Sequence, residues 1–287
     1  MNIYIVTPTW NCKDELSVCA SSLIQHTHIS MTWVIVENGS ELEHRRAIEE
    51  TVFSLTGLIR RFYIRNEKNL GIPVAQNQAL NAIASQDDGP YSVIMLDADT
   101  EVTHGWLECF LAYHDLHPNV GLIGGARSPG GMGLPVYFHK GGWWYQHDDM
   151  AGASEFYPAE CVDFAAVLFT WQILERGIRF DENYHIYDGH DQDLSFRVRS
   201  WGFDIRQIEA NVLHRPSTIM KDRNYQWAGG GRKEWDELRR RNVARFAQIW
   251  APFLAPQRRT IEEEMAHMER MNRKLAKEAD WRKEVPA

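Results

Sequence analysis

Long apolar runs, paired cysteines and an excess of positive charge are all missing from this sequence, and each absence excludes a class of protein. No stretch of the 287 residues approaches the roughly 20 consecutive apolar residues of a transmembrane helix, so we expect no membrane span. The run Ile3–Val6 is also too short for the apolar region of a signal peptide. The four cysteines have neither C-x-x-C nor zinc-ligand spacing: Cys12, Cys19, Cys109 and Cys161. We therefore expect a reduced, cytoplasmic protein.

The net charge and the glycine pattern argue against two kinds of ligand. A formal net charge of -8 disfavours a surface that binds polyanions. The glycines at Gly121, Gly124 and Gly125 do not match G-x-G-x-x-G and follow the wrong strand, so a dinucleotide site is not expected. Hydrophobic residues at 44% and charged residues at 24% are ordinary for a globular chain, whose length allows one large α/β domain or two small ones.

Apolar segments of strand type alternate with segments of helical periodicity over the first hundred residues. The predicted strands are Asn2–Val6, Thr32–Glu37, Leu58–Ile64 and Tyr91–Leu96, and the predicted helices are Lys13–His26, Glu41–Leu55 and Ile72–Ser85. This alternation predicts right-handed crossovers and a parallel sheet. Ligands of such sheets bind outside the carboxyl ends of the strands, which is where Thr7–Asn11, Glu37–Ser40 and Asp97–Asp99 fall.

Two acids, Asp97 and Asp99, directly follow the buried strand Tyr91–Leu96. Two carboxylates share a site at low cost only when a cation lies between them. Oxygen ligands suit Mg²⁺ or Mn²⁺, which usually take phosphate oxygens as further ligands. The pattern therefore indicates a divalent ion that holds a diphosphate. The alternative is a strand-to-helix turn in which Asp99 caps a helix at Thr103–Trp106.

The second half of the sequence changes character. Gly121–Gly142 predicts a strand followed by a mobile, glycine-rich excursion, and Glu160–Thr170 predicts another strand. A short helix is expected at Trp171–Arg176 and a further one at Leu194–Ser200. Asp191 and Asp193 precede this last helix. One of them is either its N-cap or a general base at a helix start.

Four motifs in the first half, taken in order, resemble those of the inverting, nucleotide-sugar-dependent glycosyltransferases of family 2. Ile5–Asn11 resembles the family's opening strand and nucleotide loop, and Val36–Ser40 is similar to its V-D-D/N-G-S. Asn69–Asn77 resembles its N-x-G…R-N stretch, and Asp97–Asp99 is similar to its D-x-D. The resemblance implies a GT-A fold, with a Rossmann-like, mostly parallel sheet flanked by helices.

Three further motifs extend the resemblance to about Pro216. Phe180–Glu182 and Gly189–Arg197 are similar to the family's F-D-E…G-E-D-x-D-L-S-x-R, and Val212–His214 follows them. By this resemblance Asp191 is the base that deprotonates the acceptor hydroxyl during in-line attack. We expect Asp193 to orient neighbours such as Arg197.

The resemblance also implies a donor site and a metal site. Glu37 matches the acid that accepts a hydrogen bond from a pyrimidine ring, which favours UDP. Asp99 and His214 would bind Mn²⁺ or Mg²⁺, with Asp97 at the ribose or at a metal-bound water. The residues expected to contact the nucleotide-sugar are Thr7, Thr9, Glu37, Asn38, Asn69, Gly71, Asn77, Asp97, Ala98 and Asp99.

Three residues depart from the family's pattern. His190 replaces the Glu of its E-D pair, which is expected to alter the acceptor pocket or the pH dependence. Glu37 replaces Asp and adds a methylene group to the base pocket. Gln76 replaces a frequent Arg and so removes a diphosphate contact.

We expect a catalytic domain at residues 1–215, with a nucleotide half at 1–100 and an acceptor half at 101–215. A mobile active-site loop at 216–232 and a helical extension at 233–287 complete the chain. The extension contains the predicted helices Lys233–Trp250 and Arg258–Trp281. The second of these either docks on the catalytic domain or pairs with another copy in a homodimer.

The sequence leaves the acceptor open. Trp143-Trp144-Tyr145 suits stacking on a sugar, and the acceptor is a saccharide, a lipid-linked glycan, a protein side chain or a modified nucleobase. One alternative function is an inactive nucleotide- or glycan-binding module of the same fold. The other is a sugar-phosphate nucleotidyltransferase, which would need a glycine-rich signature with Arg and Lys that Thr7–Asp14 lacks.

Overall fold

Strands and helices alternate through the first half of the computed structural model, as the sequence predicts. The structure describes residues 1–55, 57–87, 89–127, 136–139, 142–145, 156–158, 161–162, 164–184, 189–215 and 232–254. The elements of the first half are β1 (Asn2–Thr9), α1 (Lys13–His26), β2 (Met31–Asn38), α2 (Leu42–Ser54), β3 (Ile59–Asn66), α3 (Ile72–Ala84) and β4 (Tyr91–Leu96). The predicted order and type of all seven elements are confirmed.

The second half contains more strands than the sequence predicts. Its elements are β5 (Thr100–Val102), α4 (Trp106–Leu116), β6 (Val120–Arg127), β7 (Val136–His139), β8 (Gly142–Tyr145), β9 (Phe156–Pro158), β10 (Ala166–Phe169), α5 (Trp171–Glu175), α6 (His190–Ser200), β11 (Asp204–His214) and α7 (Arg232–Leu254). The predicted glycine-rich excursion after β6 falls partly on β7 and β8, which are strands, and its other residues lie outside the described ranges. The predicted mobile loop at 216–232 lies outside them except for its last residue, with which α7 begins. The predicted helix Arg258–Trp281 and its dimer lie outside them as well.

One sheet carries nine of the strands, with β3-β2-β1-β4-β10-β6-β11-β5 in spatial order and β9 beside β11. The strands β3, β2, β1 and β4 are parallel neighbours, as predicted. In contrast, β10 runs antiparallel to both β4 and β6, and β11 is parallel to β6 but antiparallel to β5. The sheet is therefore mixed, and the carboxyl ends of β1, β2 and β4 lie along one edge.

Side chains alternate between cores on the two faces of this sheet. In β2, Trp33 and Ile35 pack into the core formed with α1, α2 and α4, whereas Val34 and Val36 pack into the core formed with α3, α5 and α6. The period of two follows from the pleat of a strand, which points successive side chains to opposite faces. Strand β4 is buried along its whole length, and this position holds the acids that follow it in the middle of the sheet.

The structure rules out both helix caps that the sequence left as alternatives, and the predicted start of one helix is wrong. Asp99 does not cap a helix, because Thr100–Val102 forms a strand and α4 starts after Gly105, whose φ is +76°. Likewise α6 begins at His190 rather than Leu194, with Gly189 as its N-cap, so neither Asp191 nor Asp193 is the cap. Glycine takes a positive φ without steric cost, and for that reason it replaces the polar caps that were expected.

The chain from Asp204 to His214 forms one strand, of which only the last residues were singled out in the sequence. Charged residues at its exposed positions weaken the apolar signal, and Asn211, with a φ of +56°, marks a register shift against β6. In the described part of the chain, no helix is both long and apolar enough to cross a membrane. A cytoplasmic location stays a prediction.

Candidate active site

Asp97, Asp99 and His214 meet at the edge of the sheet where β4 ends. Asp97 is held there by its backbone, since its N–H donates to the carbonyl of Ala165 at 2.9 Å. The antiparallel pairing of β11 with β5 sets His214 opposite Thr100 and so beside Asp99. His214 Nε2 lies 3.3 Å from an Asp99 carboxylate oxygen, and one ligand atom from each of the three side chains lies within 4.8 Å of the others.

This cluster has the donor set and the accessibility that a divalent ion requires. Two carboxylates and one imidazole suit Mn²⁺ and other borderline cations, and the side chains of Asp99 and His214 keep 11% and 16% of their surface exposed. Ala98 points into the core between the two acids and is 8% exposed. The nearby thiol of Cys12 is buried, and burial raises its pKa to about 11.

Glu37 is held by its own loop at the end of β2. Its side chain is fully buried, one carboxylate oxygen accepts the N–H of Ser40, and the other lies 3.2 Å from Arg45 Nε. The parallel register of β1 and β2 sets Glu37 beside Thr9. The predicted hydrogen bond from Glu37 to a pyrimidine ring remains untested, and Arg45, which the sequence reasoning missed, neutralises the carboxylate.

The hydroxyl groups of β1 also have partners within the protein. Thr7 Oγ1 accepts the indole N–H of Trp33 at 2.9 Å, and Thr9 Oγ1 lies 2.9 Å from Cys12 Sγ. Beyond the strand, Asn11 has a φ of +53°, and its carboxamide oxygen accepts the N–H of Glu41 at 2.8 Å. These contacts fix the loop that follows β1.

A network of amides joins the end of β2 to the loop before α3. Asn38 donates to Asn69 at 2.9 Å and to the carbonyl of Gly71 at 3.3 Å, while its own oxygen accepts the N–H of Leu70 at 3.1 Å. Gly39 allows this contact, because a Cβ on it would lie 2.2 Å from the backbone of Lys68. Asn38, Asn69 and Gly71, which are predicted to contact the nucleotide-sugar, therefore join the loop after β2 to the loop before α3.

Asn77 reaches away from this network toward the second half of the domain. Its side chain donates to the carbonyl of Phe180 at 3.0 Å and accepts the Phe180 N–H at 2.9 Å. It also donates to Glu182 at 2.9 Å. The structure thus gives Asn77 a connecting role, and its predicted contact with the nucleotide-sugar is untested. Gln76 beside it is 2% exposed.

Asp191 lies in the first turn of α6. Its carboxylate oxygen is 2.6 Å from His190 Nε2, and the two side chains are 17% and 3% exposed. The His190 ring lies 5.9 Å from that of Phe180. A helix N-terminus favours negative charge, so the position suits an ionised carboxylate. From α6 the chain continues through β11 to His214 of the candidate metal cluster.

Asp193, two residues further on, is turned into the protein. Its side chain is 1% exposed and forms the predicted ion pair with Arg197, which is confirmed. It also accepts the indole N–H of Trp250 at 2.9 Å, and Tyr184 Oη lies 3.4 Å from the same oxygen. Burial raises the pKa of Asp193, while the charge of Arg197 and the bond from Trp250 act against that rise. The contact with Trp250 had no signal in the sequence.

Comparison with known proteins decides the family. Residues 4–174, more than half of the chain, match the family model described as glycosyl transferase family 2. This chain belongs to that family. The family predicted from the sequence is thereby confirmed, and glycosyltransferase is the enzyme class that this family model describes. No curated protein matches the sequence significantly.

Solved structures confirm the GT-A fold of this family 2 chain. The structure of GalNAc-T7 with UDP, GalNAc and Mn²⁺ is similar with a TM-score of 0.60 and 15% identity, over 75% of this chain and 44% of that one. Residues 1–349 of TarS from S. aureus give a TM-score of 0.55 and 16% identity, over 92% of this chain and 77% of that one. The chain therefore spans less than half the length of the GalNAc-T7 chain.

Proposed function

We propose that this protein is a metal-dependent, inverting glycosyltransferase that moves a sugar from a UDP-sugar to an acceptor hydroxyl. The observation that carries the proposal is the cluster of Asp97, Asp99 and His214 at the carboxyl end of β4. Ligands of open α/β sheets bind at such strand ends. The solved GalNAc-T7 structure, which has the same fold, holds UDP and Mn²⁺.

The three side chains of the cluster would together hold the ion that binds the diphosphate of the donor. Asp99 and His214 would ligate Mn²⁺ or Mg²⁺, and Asp97 would face the ribose or a water on the ion. When bound, the ion supplies positive charge to the departing diphosphate. The loops fixed by Glu37, Asn38 and Asn69 would then hold the nucleotide without reorganising, which favours binding because little conformational entropy is lost.

Asp191 would act as the general base. It would accept the proton of the acceptor hydroxyl while that oxygen forms a bond to the anomeric carbon and the bond to the diphosphate breaks on the opposite face. This single displacement inverts the anomeric configuration. Support comes from the place of Asp191 in the first turn of α6, where its carboxylate lies 2.6 Å from His190 Nε2 and stays 17% exposed.

The first experiment is calorimetry with UDP in the presence of Mn²⁺ or of a chelator. UDP should bind more tightly with Mn²⁺, and Asp99→Asn should abolish that difference. Asp115→Asn, an exposed acid on α4, is the matched control and should bind as the parent does. Equal affinity with and without metal in the parent would contradict the proposed metal site.

Turnover separates the proposal from an inactive binding module of the same fold. At least one of a panel of UDP-sugars should be hydrolysed in a metal-dependent reaction, because water takes the place of the acceptor when no acceptor is present. Binding without any hydrolysis or transfer would favour the module. Acceptors to screen are saccharides, lipid-linked glycans, proteins and modified nucleobases.

A further inference from the structure

Helix α7 packs against the helix that carries the candidate base. Asn242, Phe246 and Trp250 recur every four residues and so lie on one face of α7. Phe246 is fully buried with its ring 5.2 Å from that of Phe196 on α6, and the Trp250 ring lies 5.7 Å from the same ring. The aromatic contact therefore brings the C-terminal helix onto α6.

Polar contacts make the position of α7 specific. Arg245 Nε donates to Asp181 at 3.0 Å, and its guanidinium lies 5.6 Å from the centre of the Tyr184 ring. Trp250 donates its indole N–H to the buried carboxylate of Asp193. A buried charge is costly when it loses a partner, so these donors restrict where Asp193 can lie.

The restraint on Asp193 reaches the start of α6 through the backbone. The N–H of Asp193 donates to the carbonyl of Gly189 at 3.0 Å, which closes the first turn around Asp191. Gly189 has a φ of +92°, and a Cβ on it would lie 3.0 Å from the Tyr184 ring and 3.7 Å from Asn242. Helix α7 thus lies close to both ends of the turn that bears Asp191. Asn242 lies near Gly189 at its start, and Trp250 bonds to Asp193 at its end.

We propose that Trp250 is a positioning residue for sugar transfer, because its indole N–H fixes Asp193 and thereby the turn of α6 on which Asp191 lies. The inference rests on the proposed role of Asp191 as the base. It makes the C-terminal helix part of the catalytic unit. Displacing a reacting group by about 1 Å slows a reaction by up to roughly 100-fold, so the loss of one such restraint should be measurable.

The test compares Trp250→Phe, which keeps an aromatic ring but lacks the N–H, with Ile249→Ala on the exposed side of α7. Ile249 is 40% exposed and serves as the control for the helix itself. In Trp250→Phe we expect kcat to fall about tenfold while the KM for the UDP-sugar stays the same. Hydrogen exchange in the peptide 189–196 should accelerate in the same variant. Ile249→Ala should leave both kcat and the exchange rate of this peptide unchanged.

A double variant shows whether Trp250 acts through Asp193. If it does, Trp250→Phe combined with Asp193→Ala should lower kcat no further than Asp193→Ala alone. Losses that multiply, or a Trp250→Phe variant with parental kcat and exchange, would overturn the inference. A parent protein that transfers no sugar would instead refute the proposed function. Exchange in Trp250→Phe would then still decide whether the indole holds this turn.

Discussion

Asn77 on α3 pairs with Phe180 as one strand residue pairs with another. Its carboxamide donates to the Phe180 carbonyl at 3.0 Å and accepts the Phe180 N–H at 2.9 Å. The two bonds join α3 to the segment that leads into α6. Since Asn77 is 6% exposed, water cannot readily replace them.

Replacing Asn77 with Ala should therefore destabilise the protein by about 2 to 3 kcal/mol, because the N–H and carbonyl of Phe180 lose their partner in a buried place. Urea unfolding measures this change. The control is Asn81→Ala, one turn further along α3, where the exposed Asn81 accepts a bond from Arg179. A similar loss in both variants would show that the helix, rather than the pairing with Phe180, determines the cost.

Replacing Asp191 with Asn keeps the shape of the side chain and removes its basicity. We expect kcat to fall by about 100-fold or more, while UDP and Mn²⁺ bind as before. Asp193→Asn should instead lower stability, because Asp193 pairs with Arg197 inside the protein. Steady-state kinetics at saturating donor, together with calorimetry, separate the two. A parental rate for Asp191→Asn would require another base.

Gly39→Ala tests the close contact between the loop after β2 and the loop before α3. The variant combines the strain of a φ of +77° with a methyl group 2.2 Å from the backbone of Lys68. We expect a loss of about 3 kcal/mol, the sum of a backbone cost and a packing cost. Gly177→Ala, with a φ of +76° and nothing within 4 Å, should lose only about 1 kcal/mol. Equal losses in urea unfolding would argue against the close approach.

The ion pair of Asp181 and Arg245, which joins α7 to the rest of the domain, should make the stability of the protein depend on pH. Burial raises the pKa of Asp181, but hydrogen bonds from Asn183 and Arg245 outweigh it, so the net pKa lies below the usual 3.8. The pair therefore stabilises the protein above about pH 4, and that contribution is lost as the pH falls through the lower, folded value.

Thermal melting of Arg245→Met across this pH range checks the sign. The variant should be less stable than the parent at neutral pH, and the gap should narrow below about pH 4. Arg240→Met is the control, because Arg240 is exposed and its Nε donates to a backbone carbonyl of α7. A gap that stays constant with pH would exclude the carboxylate of Asp181 as the cause.

The first half of the fold is predictable because each element there is marked locally. Val34 and Val36 alternate with Trp33 and Ile35, and the acids Asp97 and Asp99 follow a wholly apolar strand. Their meeting with His214 follows from the family resemblance alone, since more than a hundred residues separate them in the chain. The structure supplies the pairing of β11 with β5 that accounts for it.

The internal partners of the donor residues are the part that the sequence does not reveal. The sequence predicts that Glu37 binds the pyrimidine ring of the donor. Its partner Arg45 lies on the next helix, α2, and the spacing of the two residues matches no known motif. Trp250 and Asp193 are as hard to pair, because any of eleven tryptophans has the same donor. Hydrogen bonds between distant residues depend on the packed geometry, which local patterns do not encode.

The order of elements along the chain has a consequence for synthesis on the ribosome. The metal cluster needs His214 at the end of β11, and the turn around Asp191 is held by Trp250 near the end of α7. The first four strands of the sheet are therefore synthesised long before either of these contacts can form. Any chain released before Trp250 would carry the edge of the sheet at which Asp97 and Asp99 lie, but its Asp193 carboxylate would lack the indole N–H that it accepts in the folded protein.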